Sequence, residues 1–209
     1  MADTQTYDWD AVNVDESISE ADQKASENLS TGSPVGKFLV TIVECAAVEK
    51  AFTSYSCIAA NLKMRIDSVL ELEQEVYDDK GQLVKRNGEV LMKRMPVAGE
   101  AKAKADALYC GRFIFDDVNL YHAMEKEAMK KRRIYVAKKI GLITSDSAKL
   151  TGAMWKNSPG KQVVVATEWN YWKDKNSGEQ KRNVKVGWDA YDFASTAGAV
   201  AEATDFSSI

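Results

Sequence analysis

Histidine, cysteine and proline are all scarce in this sequence of 209 residues, and the scarcity argues against several kinds of site. The one histidine, His122, has no second histidine or cysteine at metal-ligand spacing, so a surface or capping role is favoured over metal binding or catalysis. The three cysteines, Cys45, Cys57 and Cys110, are odd in number, show no paired spacing and lie in apolar runs. We therefore expect reduced core thiols in a cytoplasmic protein.

Long apolar runs and nucleotide-binding motifs are missing as well. No run approaches the ~20 residues of a membrane-spanning helix, and no basic-then-apolar leader opens the sequence, so we expect a soluble protein. No glycine-rich phosphate loop or nucleophile elbow is found. Asp116 and Asp117 are adjacent, so on a strand they would point to opposite faces and could not form a catalytic pair. The sequence predicts no enzyme, no metal site and no cofactor.

Charge is distributed unevenly along the chain, although the net charge is only −3. Residues 1–36 hold eight acidic residues and one lysine, a net charge of −7, while the remainder holds 27 basic and 23 acidic residues. This composition predicts a flexible acidic tail over 1–36, and the Ala- and Ser-rich end predicts a C-terminal tail over 193–209. A folded domain is expected over 37–192, because 45% of the residues are apolar.

Alternating apolar residues predict a mainly β domain with one helix. Strands are expected over 37–49, 57–70, 111–120, 162–172 and 181–188, and the helix over 123–140, ended by Gly141. The predicted inward-facing residues of the first two strands are Phe38, Val40, Ile42, Ile58, Ala60, Leu62, Met64 and Ile66. Three strands, a helix and two further strands are the order of a five-stranded OB-fold barrel, which is the predicted fold.

Two parts of the domain fit this barrel less simply. Residues 71–107 are predicted to form an insertion with a hairpin around Asp78–Gly81, a basic far arm, and either a short helix or a mobile loop over 99–107. In the predicted helix, Arg132 and Lys139 fall within the apolar arc, so its amphipathicity is imperfect. The other cations of the helix are more simply explained as a solvated face than as phosphate ligands.

The segment from Glu168 to Trp188 is the richest in candidate binding residues. It combines aromatic rings with cations, namely Trp169, Tyr171, Trp172 and Trp188 with Lys173, Lys175, Lys181, Arg182 and Lys185. Unpaired bases stack on such rings, at ~1–3 kcal/mol per base, and phosphates attract the cations. Alternation places Trp172 on the face opposite Trp169 and Tyr171, so the three rings cannot all be core. The competing interpretation is that the rings close the barrel and the lysines keep a hairpin soluble.

Several short motifs resemble those of a known family. They are Gly111-Arg112-x-Ile-Phe-Asp-Asp-x-x-Leu120, Lys-Lys-Ile-Gly-Leu142, Leu150-Thr-Gly152, Val35-Gly36-Lys37-Phe38 and Asn183-Val184-Lys185-Val186-Gly187-Trp188. Residues 35–190 resemble the bacteriophage OB-fold single-stranded-DNA-binding proteins, a family formerly catalogued as a domain of unknown function. The resemblance implies sequence-tolerant coating of single-stranded DNA in phage replication or recombination, in the host cell cytoplasm. It also implies a phage recombinase, annealase or polymerase as a partner, while residues 71–107 depart from the family's compact pattern.

We predict one groove that takes the strand, with rings and cations from several segments. It would be lined by Phe52, Tyr55, Lys63, Arg65, Arg112, Trp169, Tyr171 and Trp172, with Lys173, Lys175, Lys181, Arg182 and Lys185 holding phosphates. Phe113 and Phe115 are expected in the barrel core, with base stacking as the alternative. The alternative function is a non-catalytic protein-interaction or virion-structural β-barrel whose aromatic hairpin docks on another protein. Self-association and the choice between DNA and RNA stay open.

Overall fold

The computed structural model describes residues 34–51, 56–122, 124, 126–145, 147, 149–174 and 178–197, except for the side chains of 51 and 56. Its strands are β1 (Gly36–Ala51), β2 (Ser56–Glu75), β3 (Lys85–Arg86), β4 (Glu89–Val90), β5 (Met92–Pro96), β6 (Phe113–His122), β7 (Gln162–Lys173) and β8 (Gln180–Phe193). Its helices are α1 (Gly99–Tyr109), α2 (Glu127–Lys139) and a 3₁₀ helix at Gly152–Asn157. Most of the two predicted tails, together with Phe52, Tyr55 and Lys175, lies outside the described residues.

The main sheet is antiparallel and curls into a half-barrel. Its strand order is β5-β2-β1-β7-β8, and β6 also pairs with β2. The pairing of β1 with β2 runs from Gly36 opposite Leu72 to Ala51 opposite Ser56, so these two strands form one long arm of the sheet. The predicted mainly β class is confirmed, and α2 lies between the third and fourth long strands of the chain, as predicted.

The free edge of β2 is shared by three elements. Strand β6 pairs with Cys57–Arg65 of β2, and β5 pairs with Glu71–Glu75. Helix α1 fills the gap between them, where the Val69 amide donates to Asp106 Oδ1 at 2.8 Å. A buried edge amide needs a partner, so this carboxylate completes the strand where backbone pairing stops. The sequence allowed either a helix or a loop over 99–107, and the structure has a helix there. The described residues thus hold two α-helices, whereas one was predicted.

The insertion contains two successive turns. The predicted turn at Asp78–Gly81 is confirmed, because the Asp78 amide donates to the Gln82 carbonyl at 2.9 Å. A second turn, at Asn87 and Gly88, joins β3 to β4, and both residues have positive φ angles of 54° and 85°. An Asn-Gly pair with this geometry is the favoured two-residue hairpin turn. The result is a small β3–β4 hairpin, separate from the main sheet.

The core follows the predicted alternation with one exception. Phe38, Val40 and Ile42 of β1 are completely buried, and so are Leu62 and Met64 of β2. They pack with Val163 and Val165 of β7 and with Val136 of α2. Ile58 was predicted to face inward, but 39% of its surface is exposed. The reason is a bulge: Ile58 pairs with Tyr121 and Ala59 with Asn119, so the inward pattern shifts at this point.

Arg132 of α2 links β6 to β8, which face each other without a backbone ladder in the described part of the chain. Its side chain is only 8% exposed and donates to Asp116 Oδ2 at 2.8 Å, to the Asp117 carbonyl at 3.0 Å and to the Trp188 carbonyl at 3.1 Å. The Tyr191 hydroxyl donates to the same Asp116 oxygen at 2.7 Å. Arg132, the cation that falls in the apolar arc of α2, thus bridges β6 and β8 through its side chain.

Candidate nucleic-acid interface

The β7–β8 hairpin extends beyond the strand that supports it. Pairing between β1 and β7 ends at Lys37 opposite Ala166, whereas β7 and β8 stay paired out to Lys173 opposite Gln180. Both faces of this extension therefore reach solvent. Tyr171 is 54% exposed and Trp172, on the other face, is 41% exposed, while Trp169 is partly buried. As alternation predicted, the three rings are not all core.

Trp169 is held in a fixed position at the base of the extension. Its Nε1 donates to Glu73 Oε2 at 2.9 Å, and the Arg182 guanidinium lies over its ring, 4.3 Å from the centroid. In front of the ring is a cavity of about 1070 Å³, which we call the cleft. The β3–β4 hairpin and its exit line one side of the cleft with residues 86, 87 and 89–92, and the β7–β8 hairpin lines the other with Tyr171, Gln180, Lys181 and Arg182.

The opposite face of the hairpin carries Trp172 with two cations that are already paired. Lys181 Nζ lies 2.7 Å from Asp174 Oδ2, and Lys185 Nζ lies 3.4 Å from Glu168 Oε1. Both lysines are about half exposed, so these are surface ion pairs, which contribute at most ~1 kcal/mol. A phosphate could therefore compete for either ammonium group at little cost.

A second cluster lies on the outer face of β2 and β6, and we call it the platform. Here Lys63 pairs with Phe115 and Arg65 with Phe113 across the two strands. Phe113 is 41% exposed and Phe115 is 57% exposed, and Lys63 Nζ lies 4.6 Å from the centroid of the Phe113 ring. The expectation that both rings belong to the core is wrong. Ile114 and Asp116 take the inner face of β6, because Asp116 must meet Arg132 and Tyr191.

Two carboxylates beside the platform accept hydrogen bonds from neighbouring cations. Asp67 accepts two hydrogen bonds from Arg65, both at 3.1 Å, and one from Gln162 at 3.2 Å. Burial pushes the pKa of Asp117 upward, but hydrogen bonds from Asn61 and Lys50 outweigh it, so the pKa lies below its usual value. Asp67 therefore largely neutralises the positive charge of Arg65. The platform cation that lies over an aromatic ring is Lys63.

The predicted residues that the structure describes thus fall mainly on the platform, in the cleft and on the opposite face of the β7–β8 hairpin. Arg65 belongs to the platform and Glu73 to the cleft. The two residues are eight positions apart on β2, so at 3.3 Å per residue their Cα atoms are at most ~26 Å apart. Of the other predicted residues, Lys173 is exposed at the end of β7, and Arg112 lies over the ring of Tyr109 at the end of α1, 5.3 Å from its centroid.

Three exposed residues beside these surfaces were not among the predicted ones. Tyr121 is exposed on the outer side of β6, and Arg86 and Met92 line the cleft. The Asn87-Gly88 dipeptide is the signal that could have placed Arg86 on a hairpin. Nothing in the sequence indicates that this hairpin faces Trp169.

Comparison with known proteins adds no assignment: no protein-family model matches the sequence, and neither does any curated protein. Across the residues that the structure describes, no group of three or more His, Cys, Asp or Glu side chains could hold a metal ion. Within the same ranges, no helix combines the length and the apolar character that crossing a membrane requires.

Proposed function

We propose that this protein is a non-catalytic single-stranded-DNA-binding protein with an OB-fold barrel. In this proposal β1, β2, β6, β7 and β8 are the five barrel strands, α2 is the helix between the third and fourth, and β3, β4, β5 and α1 form an insertion. OB-folds bind oligonucleotides on the face of strands two and three and on the loops after strands one and four. Strands two and three are here β2 and β6, which carry the platform.

The observation that carries the proposal is the pair of exposed phenylalanines on this face. A phenylalanine pointing outward on a strand loses the burial that would stabilise it, at roughly 1.5–3 kcal/mol per side chain. Phe113 and Phe115 do so together, two residues apart, with Lys63 over one of the rings. Two ring faces with an adjacent ammonium group are suited to two stacked bases and the phosphate between them. Every base has a π-face, so such binding tolerates any sequence.

The β7–β8 hairpin extends the same chemistry to the end of the barrel. Its loop follows the fourth barrel strand, which is a position that OB-folds use for ligand contacts. Trp172, Lys173, Lys181 and Lys185 supply a ring and cations there. Sequence-tolerant DNA coating would place the protein in phage replication or recombination, with a recombinase, annealase or polymerase as the partner of its tails.

The test is a fluorescence-anisotropy titration of a labelled oligo-dT with the full chain and two variants. Phe113→Ala/Phe115→Ala should weaken binding by at least tenfold, because each stacked base contributes ~1–3 kcal/mol. Phe193→Ala is the matched control: Phe193 is also 41% exposed and also lies under a lysine, with Lys139 Nζ 4.2 Å from its ring centroid, but it is away from the platform. Equal affinities for the double variant and the control would contradict the proposed site.

A further inference from the structure

We propose that the cleft is an additional nucleotide subsite, in which the insertion holds an unstacked base of the same bound strand. This inference rests on the proposed function and extends it from the platform to a second position about eight strand residues away along β2. A compact five-stranded barrel has no such insertion, so this subsite would be specific to chains that carry the β3–β4 hairpin.

The size and shape of the cleft suit part of a polynucleotide. Its volume of about 1070 Å³ lies just above the ~300–1,000 Å³ of small-ligand pockets. Tyr171 on one wall and Met92 on the other are both exposed, so the cleft is open to solvent and a chain can enter and leave it. A free metabolite would instead be expected to sit in an enclosed pocket that buries most of its surface.

The chemistry of the walls matches a base with its phosphate. Trp169 and Tyr171 provide ring faces and Met92 provides a polarisable apolar side chain, which together can sandwich a base. Arg86 and Arg182 provide positive charge at the rim, against the carboxylates of Glu73 and Glu89. Glu73 accepts from Trp169 Nε1, and Glu89 lies opposite Arg86 in the β3–β4 pairing. The charges of Arg86 and Arg182 therefore balance those of Glu73 and Glu89, and Lys181, whose ammonium group pairs with Asp174, lies at the edge of the cleft.

The preformed contacts indicate that the site is organised before a ligand arrives. Trp169 is fixed from the side by Glu73 and on one ring face by Arg182. An aromatic ring whose orientation is already set loses little conformational entropy when a base stacks on it. The β3–β4 hairpin is fixed by its Asn87-Gly88 turn, so the wall opposite Trp169 has a defined backbone as well.

The proposal makes affinity depend on oligonucleotide length. A strand of about 6 nucleotides can occupy the platform alone, whereas one of about 20 nucleotides exceeds the ~4–16-nucleotide site size of OB-folds and can reach the cleft. The test variant is Arg86→Ala/Tyr171→Ala, which removes a rim cation and an exposed ring without touching the core. Lys85→Ala is the matched control, because Lys85 is the exposed neighbour of Arg86 on β3 and does not line the cleft.

The double variant should bind the long oligo-dT about 5- to 150-fold more weakly than the wild type and bind the short one equally well. The Lys85→Ala control should match the wild type on both lengths, and melting temperatures should agree within about 2 °C, since both substitutions are exposed. An unchanged long-strand affinity, or an equal loss on both lengths, would overturn the cleft as a separate subsite and leave the platform standing. Failure of the wild type to bind either oligonucleotide would instead refute the proposed function itself.

Discussion

Replacing Arg132 with methionine should destabilise the protein severely, although Arg132 is a charged residue on a helix. The substitution removes three hydrogen bonds at 2.8–3.1 Å and leaves Asp116 buried with no cation beside it, the Tyr191 hydroxyl and the Asp117 backbone amide being its remaining partners. Breaking a buried ion pair by removing one partner costs ~3–5 kcal/mol. For a domain of this size, that corresponds to a fall in melting temperature of roughly 6–20 °C.

The assay is urea and thermal unfolding of the full chain, followed by circular dichroism. Lys131→Met is the control, because Lys131 is the exposed neighbour of Arg132 on the same helix, and its loss should change the free energy of unfolding by less than ~0.5 kcal/mol. The double variant Arg132→Met/Asp116→Leu should recover much of the lost stability, since both buried charges are then gone. A loss below ~1 kcal/mol for Arg132→Met alone would refute the view that this residue bridges β6 and β8.

The pH dependence of the Arg132→Met variant tests the same cluster independently. Burial raises the pKa of Asp116, and the guanidinium opposes this rise, so its removal should raise the pKa further. A carboxyl whose folded pKa is raised destabilises the native state progressively as the pH rises from its unfolded value of ~3.9 to the folded pKa, fully above the folded pKa, and not at all well below ~3.9. The difference in stability between the variant and the wild type should therefore be largest near neutral pH and shrink as the pH falls toward ~4. A pH-independent difference would show that the charge of Asp116 is not involved.

Two further predictions concern the ends of the sheet. Gly36→Ala should lower the free energy of unfolding by ~1–3 kcal/mol, because the added Cβ would overlap the carbonyl oxygen of Glu71. Gly152→Ala is the control: a Cβ at Gly152 meets open space, so this variant should be nearly neutral in the same denaturant titration. The hydrogen bond from Lys139 holds the pKa of Asp192 below its usual value, so the stability that Lys139 contributes is present above pH ~4 and lost as the pH falls through the folded pKa. Unfolding of Lys139→Met across this range should show the difference from the wild type disappearing in acid, and a constant difference would contradict it.

The long elements of the fold could be predicted because their apolar residues alternate over many positions. The predicted strand over 162–172 is observed at Gln162–Lys173, and the one over 37–49 at Gly36–Ala51. The second strand was expected to stop at residue 70 but continues to Glu75. Its last residues, apart from Leu72, are polar, and they form a strand because they pair with β5. That pairing is a long-range contact, which a local pattern does not contain.

The main wrong prediction was which residues of β6 face inward, and its cause is also a long-range contact. Alternation places Phe113, Phe115 and Asp117 on one face and Ile114 and Asp116 on the other. Each face has apolar and polar members, so the pattern alone does not say which face is buried. Asp116 lies on the inner face because Arg132 of α2 and Tyr191 of β8 bind its carboxylate there. A buried ion pair of this kind reverses the usual assignment of charged residues to the surface.

The most direct measurement of the central claim is the salt dependence of single-stranded-DNA binding by the unmodified full chain. Titrating a labelled oligo-dT of about 20 nucleotides at several salt concentrations gives the slope of log affinity against log salt. The slope should be about −0.7 for each phosphate neutralised, and therefore about −2 or steeper if three or more of the platform and hairpin cations contact the strand. The absence of saturable binding at low salt, or an affinity that does not change with salt, would contradict the account and favour a barrel that docks on another protein.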